Sequence, residues 1–89
     1  MRPLRSEMAT VPLSSLSTGS SGTVTRVLAP QAGQDAELLL RLSEIGFVPG
    51  ERVRVIARAQ PGNEPIAVRL GHTTFALRNF EAAFVQVES

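Results

Sequence analysis

Cysteine, lysine, tryptophan and tyrosine are all absent from this chain of 89 residues, and histidine occurs once. Each absence closes a class of chemistry. Without cysteine there is no disulfide scaffold, iron–sulfur centre or thiolate zinc site, a composition compatible with a reducing cytoplasm. Without lysine there is no phosphate-binding loop of the G-x-x-x-x-G-K-[ST] type, and G-x-G-x-x-G does not occur either. The four phenylalanines are the whole aromatic inventory, a poor supply for base stacking. No apolar run approaches the ~20 residues that span a bilayer, and residues 1–10 lack the apolar centre of a signal peptide. A soluble, cytoplasmic protein is expected.

What remains is ordinary for a small folded domain: 43% hydrophobic and 19% charged residues, too apolar for disorder. The positive charge comes from nine arginines against eight carboxylates, a net of +1 and a weak sign of nucleic-acid binding. At this length one domain with a thin core is expected. Residues 1–11 mix charges and a proline without periodicity and read as a flexible leader, leaving residues 12–89 as the domain.

The domain is punctuated by glycine and proline. Pro12 to Leu16 forms one helical turn that tucks Leu13 and Leu16 inward, and the run from Thr18 to Gly22 breaks it. Thr23 to Leu28 reads as a strand. Asp35 is placed to cap a helix running to Ile45, with Glu37 and Arg41 four apart in the favourable order. At about 100° per residue, Leu38, Leu42 and Ile45 share one stripe with Leu39 at its edge, while Leu40 points away.

The junction that follows carries two stop signals. Gly46 stands where the helix needs a left-handed cap, and Pro49-Gly50 suits the middle of a type II turn. Period two then takes over: Val53, Val55 and Ala57 alternate with Arg52, Arg54 and Ile56, followed by Arg58. Pro61-Gly62-Asn63 turns the chain, and Gly71-His72 links two further strands, Ile66 to Leu70 and Thr73 to Leu77, as a type II′ hairpin with glycine first. Asn79 caps a last turn through Glu81 to Ala83, and Phe84 to Val87 closes the sheet. About five short strands, one three-turn helix and one or two single turns make a mainly β, α+β protein, and such strands bury a common core by curling into a small SH3-like barrel with the helix across an opening.

The search for a reactive site returns little. His72 lies in a hairpin turn without a second strong ligand, and is a weak metal candidate beside its plain reading as a turn residue. The serines cluster in the loop from Ser14 to Ser21, with nothing connecting them to His72 for nucleophilic catalysis. No catalytic residue, cofactor or enzymatic activity is expected. Arg52, Arg54 and Arg58, extended by Arg69, share one strand face suited to an acidic partner, with a merely solvated face as the alternative.

Leu42-x-x-Ile45-Gly46-Phe47-x-Pro49-Gly50, followed by Val53-x-Val55, Pro65-Ile66-x-Val68 and Ala76-Leu77-Arg78-x-x-Glu81-Ala82, resembles the ferrous iron transport accessory protein A family, FeoA, from about Pro12 to Val87. The resemblance implies an SH3-like barrel with helices, and a cytoplasmic role beside the membrane ferrous iron transporter with a G-protein domain, FeoB, by contact rather than catalysis. Where such proteins carry charged residues before the glycine, this chain has Leu39 and Leu40, read as a patch for partner binding or self-association, or as packing against Leu13 or Leu16. Leu39, Leu40, Arg41, Arg52, Arg54 and Arg58 are therefore the candidate partner-binding residues, and Gly46, Pro49 and Gly50 the structural junction. Two alternatives stand beside this: a regulatory barrel like the C-terminal domain of iron-dependent repressors, and a small nucleic-acid-binding barrel, whose binding would fall steeply with salt.

Overall fold

The period-two segments pair into one antiparallel sheet. In a computed structural model that describes residues 10–28 and 35–89, six strands take the order β1-β6-β2-β3-β4-β5. They are β1 (Thr10–Pro12), β2 (Ser21–Val27), β3 (Arg52–Arg58), β4 (Ile66–Leu70), β5 (Thr73–Leu77) and β6 (Val85–Glu88). A 3-10 turn at Leu13–Ser15 follows β1, α1 spans Asp35–Ile45 and α2 is the single turn Asn79–Ala82. The sheet is not closed, because β1 and β5 lie at its two edges and do not pair with each other. The strand beyond the expected number is β1, where Thr10 and Val11 pair with Glu88 and Val87. The segment read as a leader thus contributes to the sheet, and residues 1–9 lie outside the described residues.

The apolar positions of the sequence converge on one cluster that includes Leu13, Leu16, Val24, Leu42, Phe47, Val53, Val55, Ile66, Val68, Leu77, Val85 and Val87, all buried. Leu13 and Leu16 tuck inward as their spacing requires, and no charged or polar residue is buried among the described residues. Leu42 enters the core from α1, with Leu38, Leu39 and Ile45 packed partly against it.

The helix-to-strand junction has the geometry its residues demand. The Gly46 N–H bonds to Ser43 O at 3.1 Å and the Phe47 N–H to Leu42 O at 3.1 Å, the paired bonds of a Schellman cap. Phe47 and Leu42, both fully buried, supply the apolar contact that goes with that cap. Gly46 sits at φ +126°, and a Cβ there would stand 3.2 Å from Leu70 Cδ2. Both facts make Gly46→Ala costly, by about 1–3 kcal/mol in denaturant melts, since an alanine rarely adopts this backbone. A melt unchanged within 0.5 kcal/mol would show that the cap relaxes freely. Past it, the Glu51 N–H bonds to Val48 O at 3.2 Å, and Gly50 at φ +97° occupies the third position of the expected type II turn.

The β4–β5 hairpin pairs Leu70 with Thr73 across Gly71-His72, and Gly71 takes φ +63°. The final turn is capped one residue earlier than expected. Its N-cap is Arg78, whose backbone N–H bonds to Glu81 Oε1 at 2.8 Å, while the Asn79 N–H bonds to Glu64 Oε1 at 2.7 Å. Glu81, three residues after the N-cap, supplies the reciprocal half of a capping box by accepting from the N-cap amide, whereas the half expected of an Asn79 side chain is not made. At the other helix, α1 begins at Asp35 itself, so any cap before it falls outside the described residues.

Candidate functional site

The helix wheel separates Leu39 from Leu40, and so does the fold. Leu39 packs against the core, whereas Leu40 is 60% exposed. The apolar patch is therefore not a Leu39–Leu40 pair, because one of the two is already used in packing. Nor does Leu40 pack against Leu13 or Leu16, which belong to the core cluster that Leu40 stays out of.

Arg41 forms an ion pair with Glu81 Oε2 at 2.8 Å, linking α1 to α2. Among the described residues this replaces the local pairing with Glu37 that the sequence favours. Glu81 thus serves twice, one oxygen capping α2 and the other holding Arg41. Residues Leu40 and Phe80 each precede one member of the bridge, and Phe80 is 56% exposed. Sequence reading passed over Phe80, although Ala82 carries the signal. In a helical turn, residues two positions apart stand about 200° from each other, so burying Ala82 turns Phe80 outward.

The arginine face divides. Arg52 and Arg54 lie on the exposed side of β3, and Arg54 stands directly opposite Arg69 of β4. The pairing then shifts between Val55 and Ala57, so that Arg58 faces Ile66, a fully buried residue. A bulge inserts one unpaired residue and reverses which side of the strand the following residues face. Arg58 consequently leaves the face assigned to it. Its guanidinium donates to Ser14 O at 2.8 Å, Leu16 O at 2.6 Å and Asn79 Oδ1 at 3.5 Å. Ile56, at the bulge, is 39% exposed on the side it vacates.

On that face the Arg52 side chain donates to Thr23 Oγ1 at 2.9 Å, while among the described residues the side chains of Arg54 and Arg69 have neither a hydrogen bond nor an ion pair. Two shallow depressions adjoin there. One, of about 210 Å³, is lined by Ser21, Arg52, Val53, Arg54, Arg69 and Gly71, and the other, of about 250 Å³, by Gly19, Arg54, Val55, Ile56 and Arg69.

His72 is exposed in the hairpin turn, and among the described residues no three His, Asp or Glu side chains come together as a metal-ligand set. No helix is long and apolar enough to cross a membrane, again among the described residues. Phe47 and Phe75 are turned to each other at 6.4 Å between ring centroids and Phe84 packs against the core, which leaves Phe80 as the exposed phenylalanine.

The fold is shared with solved structures. A FeoA from Stenotrophomonas maltophilia, solved with zinc and described as a prokaryotic SH3 domain protein suggested to activate ferrous iron transport, is 43% identical over 85% of this chain and 87% of its own, with a TM-score of 0.75. A FeoA-like protein from Clostridium acetobutylicum is 25% identical over 90% of this chain and 86% of its own, with a TM-score of 0.75. A manganese-dependent transcriptional repressor is 28% identical over 90% of this chain but only 41% of its own, with a TM-score of 0.73. No match is found among the curated proteins. The FeoA domain model matches residues 11–89, nearly all of the sheet and both helices, and the chain belongs to the FeoA domain family.

Proposed function

We propose that this protein is a cytoplasmic accessory factor of a ferrous iron uptake system, acting by contact with the cytoplasmic part of a FeoB-like membrane transporter and not by catalysis. Family membership and the 43% identity to a FeoA suggested as a transport-activating factor support the pathway. The observation that supports contact is Leu40, a 60% exposed leucine on a helix whose other leucines are packed, beside the bridge that locks α1 to α2. An exposed apolar anchor suits a protein partner, and Phe80, which precedes the residue paired with Arg41, is also exposed. The arginines of β3 offer a second, polar surface.

Co-purification of the tagged chain with the transporter's cytoplasmic part tests this reading, and failure to capture it would overturn the proposal. Leu40→Glu is expected to weaken capture at least tenfold, because a carboxylate replaces an anchor in a dehydrating contact. Its unfolding free energy should stay within about 0.5 kcal/mol of the parent's, as for other exposed positions. Undiminished capture would remove Leu40 from the interface.

The likeness to the manganese-dependent repressor favours a second reading, a regulatory domain that serves a separate repressor chain. It predicts co-purification with such a repressor instead of the transporter.

A further inference from the structure

One sheet face of this protein carries arginines that no carboxylate pairs with among the described residues. Arg54 and Arg69 are directly opposed across β3 and β4, and neither meets a carboxylate among the described residues. Like charges placed this way sit about 4.5–5.5 Å apart at Cβ and work against the sheet. Two residues earlier Arg52 stands on the same face, its guanidinium steadied by Thr23. Two residues later the bulge leaves Ile56 exposed, lining the same depression as Arg54 and Arg69.

We infer that this face binds an extended acidic peptide segment of a partner, one with carboxylates at two alternate positions and an apolar side chain at the next. The proposal rests on the contact reading above and names the chemistry of one of its surfaces.

Three observations select this occupant. The first is spacing: Arg52, Arg54 and Ile56 succeed one another at every second residue, about 6.5–7 Å per step, the repeat of an extended peptide laid alongside. The second is charge: three guanidiniums with their forks unclaimed by acids match carboxylates in bidentate geometry. The third is shape. Depressions of about 210 and 250 Å³ accept side chains but fall short of the roughly 300–1,000 Å³ of small-ligand pockets. Because β3 is paired on both sides, by β2 and β4, the segment cannot join the sheet and must be read through side chains. Nucleic acid fits less well, since three cations release few counterions and neither depression is lined by an aromatic residue.

The test uses the full chain and a fluorescein-labelled peptide with glutamates at two alternate positions and leucine at the next, set between serine and threonine spacers, in fluorescence anisotropy at low salt. Arg54→Glu is expected to weaken binding at least tenfold. That variant should fold, because glutamate opposite Arg69 is a favourable cross-strand pair. Arg26→Glu changes the net charge equally at a residue lining neither depression, and should weaken binding less than threefold. Equal effects of the two variants would overturn the proposal, as would equal affinity for a peptide of the same composition with adjacent glutamates. Tighter binding of a mixed single-stranded oligonucleotide would replace it with the nucleic-acid reading. The two levels of inference separate in capture experiments. Capture of the transporter undiminished by Arg54→Glu sinks this inference and spares the contact reading, whereas peptide binding without transporter capture does the reverse.

Discussion

Replacing Phe47 with alanine is expected to remove about 3–5 kcal/mol of stability, a large share of the total for a domain this size. The residue is fully buried, and its ring faces Phe75 at 6.4 Å between centroids with the planes tilted by 56°. Removing it deletes the apolar transfer energy, leaves a cavity and forfeits a tilted aromatic pair. It also strips the Schellman cap of its apolar partner, so the loss falls on both the helix end and the core. In denaturant titration the midpoint should fall sharply with the slope unchanged. A loss below 1 kcal/mol would mean that the core can collapse around the gap and that Phe47 is not its centre.

Arg58→Ala is expected to cost about 2–3 kcal/mol, from charge-assisted hydrogen bonds to carbonyl oxygens. Its guanidinium bridges Ser14 O and Leu16 O at 2.8 and 2.6 Å, tying the end of β3 to the chain that follows β1. Asn79 Oδ1 at 3.5 Å adds a longer contact to α2. Arg54→Ala, four residues away on the same strand, should shift stability by no more than about 0.5 kcal/mol and serves as the internal control. Arg58→Lys should recover only part of the loss, because an ammonium lacks the planar fork that reaches two carbonyls at once. Equal costs for Arg58→Ala and Arg54→Ala would refute the latch.

These two arginines show where sequence reasoning succeeds and where it stops. Val53, Val55, Arg52 and Arg54 lie as strict alternation requires, two inside and two outside. Alternation carried past Val55 puts Arg58 outside as well, and the bulge sends it in. Nothing local marks the bulge, because it arises from how β3 is matched against β4. The two partners are joined by a turn whose length and twist determine the register. The same limit explains Arg41. Its favourable local partner Glu37 lies one turn away, but the tertiary fold brings Glu81 to 2.8 Å. A carboxylate already oriented by capping α2 presents its second oxygen at little further entropic cost.

The candidate surfaces divide the same way. That Leu40 points away from the core follows from helical spacing, and it is exposed. That Leu39 is packed depends on how deeply α1 settles on the sheet, which no wheel can state. Phe80 becomes part of the surface once Ala82 is known to be buried.

By itself the sequence determined the features that act over a few residues. These are the end of α1 at Gly46, the turn at Pro49-Gly50, the Gly71-His72 hairpin, the inward and outward faces of most strands, and the family. Each depends on backbone conformations and periodicities set by neighbouring residues. Only the tertiary structure decided that six strands form an open sheet, that Arg58 is a latch and not part of the basic face, and that Arg54 confronts Arg69 without an acid between them. Those depend on register and on contacts between distant segments, where the burial of one shared core outweighs every local preference.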